Sequence, residues 1–193
     1  MDQYQNLNQP PSLEAIQQDT LALGFTMASD PLTGSLLRTL AASKRASRFL
    51  ELGTGTGLST AWILDGMDGE STLLTVDNDS ALTAIAQKHL ADDVRLTIHT
   101  MDGIALLESL QGEQFDFIFA DTWPGKFDRL DLALNLVKIG GFYIVDDMLP
   151  QPNWPPEHLA KVMALLDTFD HLENFRVTKM AWASGLVLLV RTA

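Results

Sequence analysis

Three glycines alternate with threonines directly after a short apolar run, at Gly53, Gly55 and Gly57. The run, residues 49–52, is typical of a buried strand, and a helical pattern begins at Leu58. Glycine adopts backbone conformations that are closed to other residues, and it lets a ligand approach the bare backbone. The N–H groups at the start of the following helix favour an anionic or polar group. The stretch therefore predicts a strand–turn–helix unit that binds a ligand with a polar or charged tail.

The composition is that of an ordinary globular protein, and we expect one domain, residues 1–193. The net charge of −12 argues against a nucleic-acid partner, because phosphate backbones are bound by a surplus of Lys and Arg. The absence of cysteine excludes disulfides, thiolate nucleophiles and zinc–cysteine sites. No apolar run approaches the ~20 residues that span a bilayer. The polar N-terminus is not a secretory signal, so we expect a cytoplasmic protein without a membrane partner.

Strand and helix patterns alternate along the rest of the chain, which predicts a parallel sheet covered on both faces. Two final strand-like runs, 175–182 and 186–190, are separated by only three residues. That connection is too short for a parallel crossover, so these runs must form an antiparallel hairpin. The predicted fold class is α/β, with a seven-stranded, mostly parallel sheet, a C-terminal antiparallel hairpin and helices on both faces. The other strands are predicted at 49–52, 71–76, 94–100, 115–120 and 142–145, and a helix is predicted to run from Phe127 past Val137 to the glycine pair 140–141.

The first 43 residues precede this alternating pattern. Residues 1–11 are polar and end in two prolines, which predicts a loose tail. Two N-terminal helices are expected within 12–43: the first runs from 13 to 27, and Pro31 starts the second. The apolar face of the first helix is a candidate homodimer interface. Its expected buried side chains are Leu13, Ile16, Leu21 and Phe25.

Ligands of open α/β sheets bind beyond the carboxyl ends of the strands, and several predicted strands here end in aspartate. Asp77 ends the second strand, 24 residues after Gly53. This spacing is close to the ~20 residues expected for an acid that accepts the hydroxyls of a ribose. The alternative is that Asp77 caps the next helix. The glycine spacing differs from the dinucleotide-binding pattern, so loop and acid together favour a nucleoside ligand.

The later strand ends add further candidates with structural alternatives of their own. Asp102 follows the third strand and is either a binding residue or a helix cap. Asp121 follows the fourth strand, and Asp146 and Asp147 follow the fifth; as alternatives, Asp121 caps a helix and the pair forms a turn. Trp123 and Trp154 are expected to line an aromatic pocket or to pack in the core.

The segment from Glu51 to Gly57 resembles the first motif of the class I S-adenosylmethionine-dependent methyltransferases, and Asp77 matches their ribose-binding acid. The terminal hairpin resembles the strand pair that distinguishes their Rossmann-like fold from dinucleotide-binding relatives. The resemblance narrows toward the cation-dependent O-methyltransferases, which include catechol and caffeoyl-CoA O-methyltransferases. Residues 31–37, 115–121 and 137–149 carry this narrowing.

The resemblance implies that S-adenosyl-L-methionine is the methyl donor and that the acceptor is a small, catechol-like molecule. It also assigns the donor-binding positions. These are Glu51, Gly53, Thr54, Gly55, Gly57, Ser59, Asp77, Asn78, Asp102, Gly103 and Asp121.

The resemblance further implies a divalent cation, Mg²⁺ or another, held by Asp121, Asp146 and Asp147. Oxygen ligands suit Mg²⁺, which would lower the pKa of the acceptor hydroxyl. Two features depart from the family pattern. Asp147 stands where the family usually has Asn, and Lys126 lies further along the chain than the family's catalytic lysine. The catalytic candidates that the resemblance implies are Asp121 and Lys126. The alternative for Lys126 is a solvated loop residue.

Two functions remain open from the sequence. The first is methyl transfer to an oxygen of a small molecule. The second is a catalytically silent protein of the same fold that binds S-adenosylmethionine or a related nucleoside as a sensor or partner subunit. The proline-rich loop 149–156 is expected either to gate the site or to close it.

Overall fold

The computed structural model describes Tyr4, residues 7–151, Trp154, Pro155 and residues 157–193. One seven-stranded sheet runs through it in the order β3-β2-β1-β4-β5-β7-β6. Strands β1 to β5 pair in parallel, and β7 pairs antiparallel with both β5 and β6. This confirms the predicted α/β class and the closing hairpin. The strands are β1 (Arg48–Leu52), β2 (Thr72–Asp77), β3 (Leu96–Thr100), β4 (Phe115–Ala120), β5 (Val137–Val145), β6 (Phe175–Met180) and β7 (Leu186–Arg191).

Helices cover both faces of the sheet, because successive strand residues point to opposite sides. In β1, Phe49 packs into one apolar cluster, whereas Leu50 packs into the other. In β4, Phe117 and Ile118 divide between the clusters in the same way. Each face therefore has its own core. The helices are α1 (Leu13–Leu23), α2 (Pro31–Ala41), α3 (Leu58–Gly66), α4 (Ser80–Leu90), α5 (Gly103–Ser109), α6 (Leu130–Asn135) and α7 (His158–Asp170).

The strand order reverses between β1 and β4, which lie side by side although five other elements separate them in the chain. Such a switch point opens a crevice beyond the carboxyl ends of the two strands. The glycine loop follows β1 and Asp121 follows β4, so both lie at this crevice. The topology alone therefore places the predicted ligand loop beside the predicted catalytic aspartate.

The boundary between α6 and β5 differs from the prediction. The helix ends at Asn135, and the strand begins at Val137 rather than at residue 142. Gly140 has a φ of 79°, and the register of β5 against β4 shifts opposite it. The glycine pair therefore forms an irregularity inside a strand, not the end of a helix.

The first helix is also shorter than predicted. It ends at Leu23, and Gly24 caps it in the left-handed conformation with a φ of 76°. Leu13 and Ile16 are buried as expected, but Leu21 is 78% exposed. The exposure of Leu21 does not show what covers this side chain, so the homodimer interface remains a prediction.

The tail before α1 is described only in part, since Met1, Asp2, Gln3, Gln5 and Asn6 lie outside the described residues. The carbonyl groups of Leu7 and Asn8 accept hydrogen bonds from Arg38, and Pro10 is buried. Within the described ranges, no helix is long and apolar enough to cross a membrane.

Helices α2 and α3 approach each other so closely that two glycines are required between them. A β-carbon on Gly34 would lie 2.3 Å from the Trp62 ring, and one on Gly66 would lie 2.2 Å from the carbonyl oxygen of Arg38. At Gly66 the obstacle is backbone, which cannot move aside as a side chain can.

We predict that Gly66→Ala destabilises the protein by at least about 2 kcal/mol, because the added methyl group forces α2 and α3 apart. Urea unfolding followed by circular dichroism measures the change. Gly69→Ala is the matched control, since a β-carbon there meets no atom within 4 Å. Equal stabilities of the two variants would contradict the close contact.

Candidate active site

The glycine loop turns back on the sheet edge through three glycines with positive φ, at Gly53 (103°), Gly55 (51°) and Gly57 (94°). The backbone N–H groups of Gly53 and Thr54 both donate to the carbonyl oxygen of Val76, at 2.9 and 3.0 Å. A β-carbon on Gly53 would lie 2.8 Å from the carbonyl oxygen of Asp121. Only glycine allows both this conformation and this approach. The loop is therefore locked between β2 and the end of β4.

Glu51 lies beneath the loop, and its side chain is fully buried. Its carboxyl accepts hydrogen bonds from the hydroxyls of Ser59 at 2.6 Å, Thr60 at 2.5 Å and Thr75 at 2.7 Å. Burial raises the pKa of Glu51 to about 7, although the three hydroxyls act in the opposite direction. Glu51 therefore holds the loop, the start of α3 and β2 together.

Asp77 contacts the loop directly. Its Oδ2 accepts a hydrogen bond from the N–H of Gly55 at 2.8 Å, and its Oδ1 accepts one from the N–H of Asp79 at 3.0 Å. The cap of α4 is Asp79, which accepts from Ala81 and Leu82. The alternative of Asp77 as a helix cap is therefore not what the structure shows. Each Asp77 oxygen keeps a lone pair for a further donor.

A cavity of about 830 Å³ opens over the loop. It extends from Asp77 to the residues that follow β4 and β5, and on to the start of α7. Seven of the predicted donor-binding residues line it: Gly53, Thr54, Gly55, Ser59, Asp77, Asn78 and Asp121.

The four other predicted donor-binding residues are not among the described residues that line the cavity. Glu51 and Gly57 lie underneath it, where Glu51 fixes the loop. Asp102 is exposed and accepts a hydrogen bond from the N–H of Ala105 at 2.9 Å, so it caps α5. Gly103 packs against Pro124. The helix-cap alternative for Asp102 is thus the role that its contacts show.

Three carboxyl groups meet at the ends of β4 and β5, where Asp121 and Asp147 line the cavity and Asp146 lies behind them. Burial and the negative charges of Asp146 and Asp147 raise the pKa of Asp121 well above its ordinary value. Burial likewise raises the pKa of Asp146 to about 6. Asp147 has a φ of 56°, a left-handed conformation that Asp tolerates better than most residues.

The metal site expected at these three aspartates stays a prediction. Among the described residues, no group of three or more His, Cys, Asp or Glu side chains is arranged to hold a metal ion. The reason lies in the partners of the carboxyls. The Oδ1 of Asp146 accepts hydrogen bonds from the hydroxyl of Ser184 and from the N–H of Asp147, and the Oδ2 of Asp121 accepts one from Ser29 at 2.7 Å. One carboxyl oxygen of Asp121 and one of Asp146 are thus engaged by donors of the protein.

Lys126 is not the solvated loop residue that the sequence left as its alternative. Its side chain is only 4% exposed, it lines the cavity, and its Nζ donates to the carbonyl oxygen of Asp146 at 2.5 Å. The turn from Trp123 to Asp128 folds the lysine inward, and the buried hydroxyl of Tyr143 donates to the carbonyl oxygen of Gly125 in this turn. A cation is therefore buried beside the three aspartates.

Several cavity residues carried no functional signal in the sequence. Residues 25–31 line the cavity beside the loop, and Ser29 donates to Asp121. His158 and Ser184 line it from the other side. The only sequence cue for the first of these segments was the Ser-Asp-Pro start of α2, which indicates a helix boundary and not a binding segment.

Both tryptophans named from the sequence line the cavity. Trp123 is 44% exposed, and Trp154 is half-buried, with a ring centroid 4.3 Å from that of His158. Of the proline-rich loop, Gln151, Trp154 and Pro155 line the cavity, whereas Pro152, Asn153 and Pro156 lie outside the described residues. The described part of the loop therefore forms a wall of the cavity and does not fill it.

Comparison with known proteins identifies the family. A model described as "Methyltransferase domain" matches residues 50–148, which is about half of the chain. The chain belongs to this methyltransferase family. The match begins in β1 and ends just after Asp146 and Asp147, so it contains the glycine loop, Asp77 and the acidic strand ends.

The methyltransferase also resembles individual proteins. A catechol O-methyltransferase of Niastella koreensis is 33% identical over 127 residues, which are 62% of this chain and 57% of that protein. The matched segment thus spans less than two thirds of the relative's length.

Two crystal structures share the fold. The O-methyltransferase TomG of Streptomyces achromogenes, solved with S-adenosylmethionine, has a TM-score of 0.82 at 21% identity and covers 95% of this chain and 90% of its own. An O-methyltransferase of Bacillus cereus, solved with S-adenosylhomocysteine, has a TM-score of 0.82 at 20% identity over 94% and 90% of the two chains. At these identities the likeness shows the Rossmann-like methyltransferase fold, which confirms the expected fold class.

We predict that Glu51→Gln removes a pH dependence of stability. The folded wild type holds the Glu51 proton more tightly than the unfolded chain does. Its stability relative to the variant therefore falls as pH rises from about 4.5 through about 7, by about 3 kcal/mol in total. Urea unfolding between pH 5 and 8 measures this difference.

Glu70→Gln, a change of the same charge at an exposed residue, is the control and is expected to follow the wild type at every pH. Parallel curves for Glu51→Gln and the wild type would show that the buried carboxyl does not titrate in this range.

Proposed function

We propose that this protein transfers a methyl group from S-adenosylmethionine to a hydroxyl oxygen of a small, catechol-like molecule. The observation that carries the proposal is the continuity of the cavity. It joins a glycine loop and a ribose-type acid at Asp77 to a buried lysine, Lys126, and a group of aromatic rings. Donor and acceptor then lie in one enclosure, as an in-line transfer requires.

The donor half of the cavity suits a nucleoside with an amino-acid tail. Asp77 lies at the carboxyl end of β2 with lone pairs available for ribose hydroxyls. The glycine loop exposes backbone in front of the N-terminus of α3, where the helix dipole favours the carboxylate of the methionine tail. The relatives named above support this assignment, since two of them were solved with this donor or its product.

The acceptor half supplies the chemistry of deprotonation. When bound, S-adenosylmethionine supplies an electrophilic methyl group. Asp121 lines the cavity, and its raised pKa makes it a stronger base than an ordinary aspartate, so we assign it the hydroxyl proton of the acceptor. Lys126 lies beside it and stabilises the negative charge that develops on the acceptor oxygen. This route uses residues of this chain and no metal ion.

The catalytically silent alternative lacks a supporting observation. The sequence features that favour it are the displaced lysine, the Asp146-Asp147 pair and the proline-rich loop that either gates the site or closes it. Lys126 is buried in the cavity wall, and the described residues of the loop leave the cavity at about 830 Å³. Room for an acceptor beside the donor therefore remains.

We predict that Asp77→Asn weakens binding of S-adenosylhomocysteine about 10- to 100-fold, because hydrogen bonds to a charged group are replaced by weaker neutral ones. The asparagine oxygen still accepts from Gly55, so the loop keeps its support. Isothermal titration calorimetry measures the affinity. Asp92→Asn, the same change at an exposed residue outside the cavity lining, is the control. If folded wild type binds no donor at millimolar concentration, the proposed function is wrong.

We predict that Lys126→Met lowers turnover about 100-fold and leaves the affinity for S-adenosylhomocysteine unchanged, since the ammonium lies beside Asp121 and stabilises the developing oxyanion, away from the donor loop. Transfer of labelled methyl to a panel of catechols measures turnover. Lys179→Met removes the same charge on the hairpin, where Lys179 pairs with Asp170, and is expected to keep full activity.

These assays include EDTA, because the expected metal ligands have protein partners. Turnover that EDTA abolishes and added Mg²⁺ restores would instead show that a cation assembles the three aspartates. Full activity of Lys126→Met would remove the lysine from the mechanism while leaving donor binding intact.

A further inference from the structure

Four rings meet in the wall of the cavity, those of Trp123, Phe127, Trp154 and His158, which we call the aromatic chamber. The imidazole is at its centre. Its ring centroid lies 4.3 Å from that of Trp154, 5.2 Å from that of Phe127 and 6.1 Å from that of Trp123. Trp123 and Phe127 meet edge to face at 5.8 Å. The rings come from the turn after β4, the loop after β5 and the first turn of α7, so the chamber depends on the fold and not on one segment.

The imidazole of His158 has an unused polar atom. The residue is 9% exposed, and its Nε2 is buried without a hydrogen-bond partner among the described residues. Leaving such an atom unpaired is unfavourable, because it has lost its water partner on burial and gained no other. The described part of the chain has one other side-chain atom in this condition, the hydroxyl of Thr33, which is not a cavity residue. His158 therefore combines an unmet hydrogen bond with a position in the cavity wall.

A core role explains His158 poorly. A histidine that serves only packing normally has both its polar atoms satisfied, and an apolar ring of similar size fills the same space without the penalty. A ligand that supplies the missing partner recovers the cost on binding. Because the three neighbouring rings surround the imidazole, such a ligand has to displace part of this aromatic wall. Trp154 has the ring nearest to the imidazole, and it lies in the loop after β5.

The protonation state narrows the class of ligand group. Burial and the positive charge of Lys126 lower the pKa of His158, which favours the neutral imidazole. A neutral imidazole has one donor and one acceptor nitrogen. A hydroxyl matches either form of Nε2, because it both donates and accepts. A carboxylate offers only acceptors and is attracted more strongly by a cation.

We propose that His158 determines acceptor specificity: its Nε2 hydrogen-bonds a hydroxyl group of a planar acceptor whose ring stacks in the aromatic chamber. This inference rests on the proposed function and extends it. The hydroxyl that His158 binds orients the acceptor, while Asp121 and Lys126 act on the hydroxyl that is methylated. The acceptor class that fits is a flat ring with at least two hydroxyls.

The test compares two probes that share a ring, catechol and 1,2-dimethoxybenzene, in protein saturated with S-adenosylhomocysteine. Saturation-transfer NMR titrations give their affinities. Wild type is expected to bind catechol at least about five-fold more tightly, the value of one buried hydrogen bond. His158→Phe keeps the ring and is expected to lower this preference about five-fold, because Asp121 and Lys126 still act on the other hydroxyl. His158→Gln is expected to keep part of what His158→Phe loses. His171→Gln, at an exposed histidine on the other end of α7, behaves as the wild type.

A second readout reports on the atom itself. The ¹⁵N resonance of His158 Nε2, assigned by its loss in His158→Gln, is expected to shift when catechol binds and to stay in place with 1,2-dimethoxybenzene. An unchanged resonance, a preference that His158→Phe leaves undiminished, or wild type that binds S-adenosylhomocysteine but neither probe would each overturn the inference. Failure to bind S-adenosylhomocysteine at all would instead overturn the proposed function.

Discussion

The site depends on one buried carboxyl, that of Glu51. Its three hydroxyl partners come from two elements, Ser59 and Thr60 at the start of α3 and Thr75 in β2, while Glu51 itself lies near the end of β1. A group this deeply buried is stable only if every lone pair it needs is satisfied. The backbone therefore has to bring β1, β2 and α3 to one point, and the glycine loop is the connection that does so. The hydrogen bonds of Glu51 beneath the glycine loop thus fix the two elements that the loop joins.

The sequence predicts the repeated parts of this structure well, since alternating burial and short connections decide the sheet, its direction and its closing hairpin. It fails where the cause is a contact between distant segments. Glu51 lies within the motif and was assigned to the donor, yet its partners place it under the loop. A Gly-Gly pair at 140–141 is typical of a helix end, but here it forms an irregularity in β5. The reason is that residues on both sides of it, Val137 and Phe142, pair with β4. Lys126 is polar and follows a Pro-Gly pair, and only the fold shows that the turn points inward.

The proposed metal site is a second case in which contacts between distant segments are not visible in the sequence. A cation site and a metal-free catalytic site can both have three aspartates at adjacent strand ends. The spacing of these residues in the sequence therefore does not distinguish the two kinds of site. The structure shows partners for some of these oxygens: Ser29 donates to the carboxyl of Asp121, and Ser184 and a backbone N–H donate to that of Asp146. The positive charge of Lys126 lowers the pKa of both carboxyls against the effect of burial. Buried carboxyls require compensation of some kind. Here the chain provides hydroxyls and a lysine, none of which a pattern of aspartates reveals.

The limits of the family match fall inside the cavity. The donor loop, Asp77 and Lys126 lie within residues 50–148, whereas residues 25–31, Trp154 and His158 lie outside. The part of the chain that shows the family thus contains the donor loop together with Asp121 and Lys126, and the segments beyond it complete the cavity wall. Segments joined to the sheet only through loops and helix ends are free to change without disturbing Glu51 or the strand order. The methyl donor is therefore readable from a motif, while the acceptor has to be inferred from an unpaired nitrogen and the rings around it.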